Sequence, residues 1–285
     1  MYIREAITVH MVDLPLPAQP NVMNALDNGA TAADLKGSTF YVTLEPCHHT
    51  GRTPPCDRKL LEVGAARVVI AFVDPDDRVN GQGIKLLRES GVEVVVGVCE
   101  AEAKQSLLPF VHQRSSGKPY VVIKAAMSLD GRIACEDGTS QWITGENARQ
   151  DGHRLRAGSQ AIIVGSNTAL KDRPRLNVRG VAGAETVTPL RVALDSTGKI
   201  VDGPLLDVSL GSTLIFTSER VKADVAQLWR DRGVEVVRVG EKVVGQGLDL
   251  DAVLTALAQR GILQVLIEGG GKLQSRFLAE DRADK

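Results

Sequence analysis

The sequence predicts an α/β fold in two domains, on three observations. The chain has 285 residues, within the range of roughly 250–300 at which a single core stops growing and chains divide. Short β-rich runs alternate with helical runs, the rhythm of βαβ units. A polar Arg-Ser-Ser-Gly-Lys-Pro stretch at residues 114–119 interrupts that rhythm and reads as a linker with a proline stop.

In the first domain, residues 1–113, β-rich runs at 39–44, 66–72 and 92–98 flank helical runs at 57–63 and 82–89, which implies a mostly parallel sheet. Val9-His10-Met11-Val12 is a candidate earlier strand, and residues 100–113 form a polar, amphipathic segment. The second domain, residues 120–285, opens with a strand at 120–126 and continues with a helix at 145–157 and strands at 161–165, 191–195, 212–217 and 234–237. A helix at 250–259 and a strand at 264–267 follow.

Hydrophobic residues make up 43% of the chain and charged residues 24%, ordinary values for a soluble globular protein. The net charge of −1 gives no sign of nucleic acid or an acidic membrane as partner, so any anion binding must be local. No apolar run approaches the ~18 residues of a membrane span. Four cysteines make no disulfide framework in so long a chain, which favours a reducing, intracellular setting.

The first run that carries chemistry is Thr43-Leu44-Glu45-Pro46-Cys47-His48-His49-Thr50-Gly51-Arg52-Thr53-Pro54-Pro55-Cys56. Its two cysteines are open to three readings: metal ligands, a redox pair, or small buried residues. Their spacing is looser than the Cys-x2-Cys of most zinc sites. His48 and His49 read as exposed loop histidines. The Gly81-Gln82-Gly83 run reads as a strand-to-helix turn rather than a nucleotide loop.

In the second domain, Lys124-Ala125-Ala126-Met127-Ser128-Leu129-Asp130-Gly131 sets an apolar strand before a turn whose small residues let a flat ligand approach the backbone. Ser140-Gln141-Trp142 pairs a hydroxyl with an aromatic face. The helix from Gly145 bears Arg149, Arg154 and Arg156, as a solvated face would. Near the end, Val265-Leu266-Ile267-Glu268-Gly269-Gly270-Gly271 runs a buried strand into three glycines and a helix, where bare N–H groups and the helix N-terminus can face a phosphate together.

Together these runs resemble the RibD family of bifunctional riboflavin-biosynthesis proteins, which join an N-terminal pyrimidine deaminase to a C-terminal reductase. The resemblance covers about residues 20–285 and is most specific in the Cys47 to Cys56 loop and the gap-free block from Lys124 to Arg179. It implies a cytidine-deaminase-like α/β/α domain followed by a dihydrofolate-reductase-like α/β domain. Gln19-Pro20-Asn21-Val22-Met23-Asn24-Ala25-Leu26 is similar to the family's His-Ala-Glu-Val-Asn-Ala-Leu run. Pro20 stands in the place of the ligand histidine and Val22 in that of the proton-shuttling glutamate. A zinc deaminase needs both. Cys47 and Cys56 are then remnant zinc ligands, two where a catalytic site takes three from protein, and the deaminase half is expected to be silent.

For the other half, the resemblance implies an NADPH-dependent reductase of 5-amino-6-(5-phosphoribosylamino)uracil that yields the ribityl product. The implied cofactor contacts are Ala126, Trp142, Thr168, Asp172, Ser196, Gly270, Gly271, Lys272, Leu273, Gln274, Ser275 and Arg276. The implied substrate contacts are Ser140, Arg156, Leu176, Arg179 and Glu268. Arg156 and Arg179 are expected to hold the substrate phosphate through charge-assisted bonds, and no general base is obligatory. A cytoplasmic or plastid-stromal setting and a homodimer are further implications. Fewer than 20 residues precede Pro20, and the family's later strands would follow Lys285, which suggests a fragment. An intact bifunctional zinc enzyme and a non-catalytic pseudoenzyme are the two other open classes.

Overall fold

The computed structural model describes residues 7–9, 31–50, 54–140 and 142–285, with the backbone alone for 7–9. Pro20, Val22 and Gln141 lie outside the described residues. The chain divides into two compact units, residues 1–116 and 117–285.

The first unit is a four-stranded parallel sheet in the order β1(Ile7–Val9)–β2(Thr39–Leu44)–β3(Arg67–Phe72)–β4(Glu93–Val96). Its helices are α1(Ala32–Leu35), α2(Cys56–Glu62), α3(Gln82–Glu89), α4(Glu100–Ser106) and α5(Leu108–Ser116). β2 buries Phe40, Val42 and Leu44 at the alternate positions that one face of a strand presents. The central β3 is buried almost throughout, as a strand covered on both faces must be.

The carboxylate of Glu45, fully buried at the end of β2, accepts the main-chain N–H groups of Asp74 (3.3 Å), Gly81 (2.8 Å) and Ile84 (3.2 Å). The glycine run is the turn into α3 that the sequence predicts, and it is built around this carboxylate. Gly83 is required there, since a Cβ would stand 2.3 Å from the Pro46 carbonyl oxygen. The stretch expected as a linker from Arg114 is helical through Ser116, so the connection is confined to residues 117–119.

The second unit is a six-stranded, all-parallel sheet. Its strands are β5(Tyr120–Lys124), β6(Ala161–Gly165), β7(Leu190–Leu194), β8(Thr213–Thr217), β9(Glu235–Arg238) and β10(Gln264–Glu268), arranged β5-β10-β6-β7-β8-β9. The helices are α6(Glu146–Ala157), α7(Ser166–Lys171), α8(Ala223–Asp231), α9(Leu250–Gln259) and α10(Gly271–Ala279). Val265 and Ile267 of β10 meet Ile163, Val192 and Phe216 in one core, closed by Val253, Leu257 and Phe277 of α9 and α10.

The last strand in sequence thus inserts between β5 and β6. Such a reversal of strand order leaves a crevice at the carboxyl ends of the strands, the place where open α/β sheets hold ligands. Asp284 and Lys285 bond to β5, through Asp284 N–H to the Val121 carbonyl (2.9 Å) and Ile123 N–H to the Lys285 carbonyl (2.8 Å). No helix among the described residues is long and apolar enough to cross a membrane.

Candidate functional site

The carboxyl ends of β5, β10, β6 and β7 bring together Lys124 and Ala126, Glu268 and its glycines, Gly165 and α7, and Asp195 and Ser196. Lys124 and Glu268 stand opposite each other in the register of β5 and β10.

The glycine turn is tightly set. Gly269 has φ +122°, a region closed to most L-residues, and a Cβ there would stand 2.7 Å from the Thr168 hydroxyl oxygen. That hydroxyl accepts the Gly270 N–H at 2.9 Å. α10 starts at the next residue with no side-chain cap, so its first N–H groups are left for a ligand. A Cβ on Gly271 would lie 3.2 Å from Ile133, and the Gln274 amide donates to the Lys124 carbonyl at 3.0 Å, which ties α10 to β5. These features fit the diphosphate of a dinucleotide.

Trp142 is 71% exposed, with the Arg149 guanidinium 4.6 Å from its ring centre. It is therefore a surface aromatic rather than a core one. Ser140, Lys272 and Ser275 are exposed, and Ala126 and Ser196 are half-buried. Asp172 is the exposed C-cap of α7. Leu273 is buried in the core, so a cofactor would meet only its backbone. The same holds for Leu176 and a substrate, because its side chain is buried in a left-handed turn (φ +52°). Arg276 bonds to Glu280 (2.7 Å) and to the Leu248 carbonyl (2.9 Å), which leaves its charge committed.

Arg156 is already paired in this structure: Nε and Nη2 donate to the two Glu268 carboxylate oxygens at 2.7 and 2.6 Å, and Nη1 donates to the Asn177 carbonyl at 3.0 Å. The pair is largely buried and close to neutral as a unit. Arg179 is exposed and makes no hydrogen bond or ion pair with a described residue, so it is an uncommitted cation.

Sequence reasoning missed three groups around this pair. The Lys124 side chain crosses α6 so closely that a Cβ on Gly152 would lie 3.6 Å from its Cε. His153, one helical turn before Arg156, and Asn177 each bury a polar atom, Nδ1 and Oδ1, without a partner. The i, i+3 spacing of His153 and Arg156 was the available signal.

In the first unit, Cys47 and Cys56 are adjacent. The Cys56 N–H donates to the Cys47 sulfur at 3.3 Å, and the Cys56 thiol hydrogen bond lowers the Cys47 thiol to about 7 while its own is pushed up. His48 and His49 are half-buried, contrary to the exposed-loop reading, and His48 Nδ1 meets the fully buried Asp57 carboxylate at 2.5 Å. That partner holds His48 within the loop. Among the described residues no three metal-ligating side chains come together.

Residues 119–285 match the family model described as the RibD C-terminal domain. The riboflavin biosynthesis protein RibD of Chlamydia muridarum is 46% identical over 87% of this chain and 66% of its own length, and that of Aquifex aeolicus 36% over 90% and 70%. The chain spans about two thirds of the length of the curated relatives it matches. Among solved structures, Acinetobacter baumannii RibD superposes with a TM-score of 0.81 at 37% identity, covering 94% of this chain and 71% of the other. A Thermotoga maritima diaminohydroxyphosphoribosylaminopyrimidine deaminase/5-amino-6-(5-phosphoribosylamino)uracil reductase does so with a TM-score of 0.74 at 34% identity, covering 93% and 70%.

Proposed function

Because the chain belongs to the RibD family and carries its C-terminal reductase domain, we propose that it reduces 5-amino-6-(5-phosphoribosylamino)uracil to the ribitylamino product with NADPH. The observation that carries this reading is the assembly of the glycine turn, Thr168, Arg179 and the Arg156–Glu268 pair at the carboxyl ends of neighbouring strands. When bound, the cofactor supplies the hydride for C1′ of the sugar, so the protein's part is to position two ligands and exclude water.

In this reading the uncapped start of α10 and the glycine turn take the NADPH diphosphate, with Ala126, Thr168, Asp172, Ser196 and residues 270–276 around the cofactor. Trp142 offers its exposed face to the nicotinamide. Arg179 takes the substrate phosphate. Arg156 and Glu268 act as a preformed hydrogen-bonding wall for the sugar or the pyrimidine, completed by Ser140 and the Leu176 backbone.

The first unit is then a cytidine-deaminase-like domain in residues 1–113, without deaminase activity. Pro20 and Val22 in the ligand and shuttle places support that reading. The test is NADPH oxidation by the purified chain with the phosphoribosylaminouracil, beside NADPH binding followed by fluorescence. Turnover with tight binding is expected. Binding without turnover would instead favour a pseudoenzyme.

A further inference from the structure

Cys47, shortly after β2, and Cys56, the first residue of α2, take no part in the reductase reading, yet the chain holds them side by side. The Cys56 N–H donates to the Cys47 sulfur at 3.3 Å, and the Asp57 N–H donates to the Cys47 carbonyl at 3.3 Å. The residue after each cysteine repeats the contact, since His48 Nδ1 meets the Asp57 carboxylate at 2.5 Å. The Cys56 thiol also hydrogen-bonds the Cys47 sulfur, so the two sulfurs face each other.

A disulfide needs two cysteines whose side chains converge without movement of the backbone. Here two main-chain bonds and the His48–Asp57 contact fix the backbone on both sides of the gap before any bond forms between the sulfurs. Both cysteines are half-buried, so neither residue is sealed from solvent. Cys99 and Cys135 are exposed and stand in different units. Cys47 and Cys56 are therefore the pair that the fold has brought together.

We propose that Cys47 and Cys56 form a dithiol modification site, which a low-molecular-weight disulfide of the class of oxidised glutathione converts to an intramolecular disulfide. One cysteine loses its proton to solvent and attacks a sulfur of the oxidant, which forms a mixed disulfide and releases one glutathione thiolate to be protonated. The other cysteine loses its proton and attacks the first at its sulfur, which breaks the mixed disulfide and releases the second glutathione. In sum the two protein thiols give up two electrons and two protons, and one oxidised glutathione becomes two reduced molecules. The new bond closes the segment from Cys47 to Cys56 and restrains the unfolded chain of the first unit. This goes beyond the reductase reading and does not depend on turnover in the second unit.

The test incubates the full chain, reduced, with oxidised glutathione. Zinc content is measured first, free thiols are counted after unfolding, and peptides are mapped without reduction. In the unsubstituted chain the Cys47 and Cys56 peptides should be joined, and dithiothreitol should separate them. In a variant with Cys99→Ser and Cys135→Ser, both remaining thiols should disappear with no glutathione left on the protein. The Tm of its first unit should rise by at least about 5 °C on oxidation, the scale of closing a short loop in a small domain. Adding Cys56→Ser to that variant should abolish the rise.

Glutathione attached to both cysteines without a link between them would overturn the proposal. So would thiols at Cys47 and Cys56 that stay free in oxidant that modifies Cys99 and Cys135, or a zinc ion that the reduced chain holds and that shields both thiols.

Discussion

Arg156 and Glu268 lie 112 residues apart in sequence and form a two-pronged ion pair, with bonds of 2.7 and 2.6 Å, between α6 and the end of β10. Because β10 is the strand inserted between β5 and β6, this pair joins the last strand of the sheet to the helix that follows the first.

Removing one partner leaves a charge in a site that is 10–16% exposed. Glu268→Ala is expected to cost about 3 kcal/mol in urea denaturation, the magnitude of a broken buried pair. Arg156→Met combined with Glu268→Leu should recover much of that stability but no activity. A loss below about 1 kcal/mol in Glu268→Ala would show that the pair is effectively solvated.

Arg179→Ala should raise KM for the phosphorylated substrate by about 100-fold, the scale of a lost charge-assisted contact of 1.5–3 kcal/mol, with Tm unchanged. Arg156→Ala should lower stability as well as activity. If the two variants behave alike, the division of labour between the arginines is wrong.

Thr168→Val removes the hydroxyl that accepts the Gly270 N–H. The turn loses its tie, and NADPH affinity is expected to fall about tenfold. Gly269→Ala, with φ +122° and a Cβ 2.7 Å from the Thr168 hydroxyl oxygen, should be worse. Fluorescence titration with NADPH reads both.

Burial raises the Asp74 carboxyl from 3.8 to about 6. The folded state therefore binds more protons than the unfolded state between those values, so stability falls as pH rises from about 4 through 6, and the cost persists above. Asp74→Asn keeps an oxygen for the Asp76 N–H (2.8 Å) and removes the charge. It should stabilise the first unit by about 1–3 kcal/mol at pH 8 and by little at pH 4. Equal effects at both pH values would contradict the linkage.

With added zinc the chain should release no ammonia from the pyrimidine deaminase substrate. Measurable release would mean that another ligand and another proton carrier replace the family's histidine and glutamate.

Elements with a strong local period were legible in the sequence. The sequence bounds 39–44, 82–89, 161–165 and 250–259 as β2, α3, β6 and α9 occur, because each carries its buried positions within one short run. α7, six residues long, is too short to show a helical period. α8 offers only Ala226 and Trp229 as buried positions. The insertion of β10 leaves no local mark, since strand order is set by pairing partners far away in sequence. For the same reason the pairing of Arg156 with Glu268 is not legible in the sequence: the partner lies on another element, and one helix cannot reveal it. The glycine turn was legible because strand, glycines and helix are contiguous, and the half-buried His48 was missed because Asp57 reaches it from α2.

The most direct test of the central claim is isotopic. The purified chain would be supplied with NADPH deuterated at nicotinamide C4 and with 5-amino-6-(5-phosphoribosylamino)uracil, and the product examined by mass spectrometry and NMR. One deuterium at C1′ of a ribitylamino product is the predicted result. NADPH consumption without label in the sugar, or no product from a chain that binds both ligands, would contradict the reductase assignment.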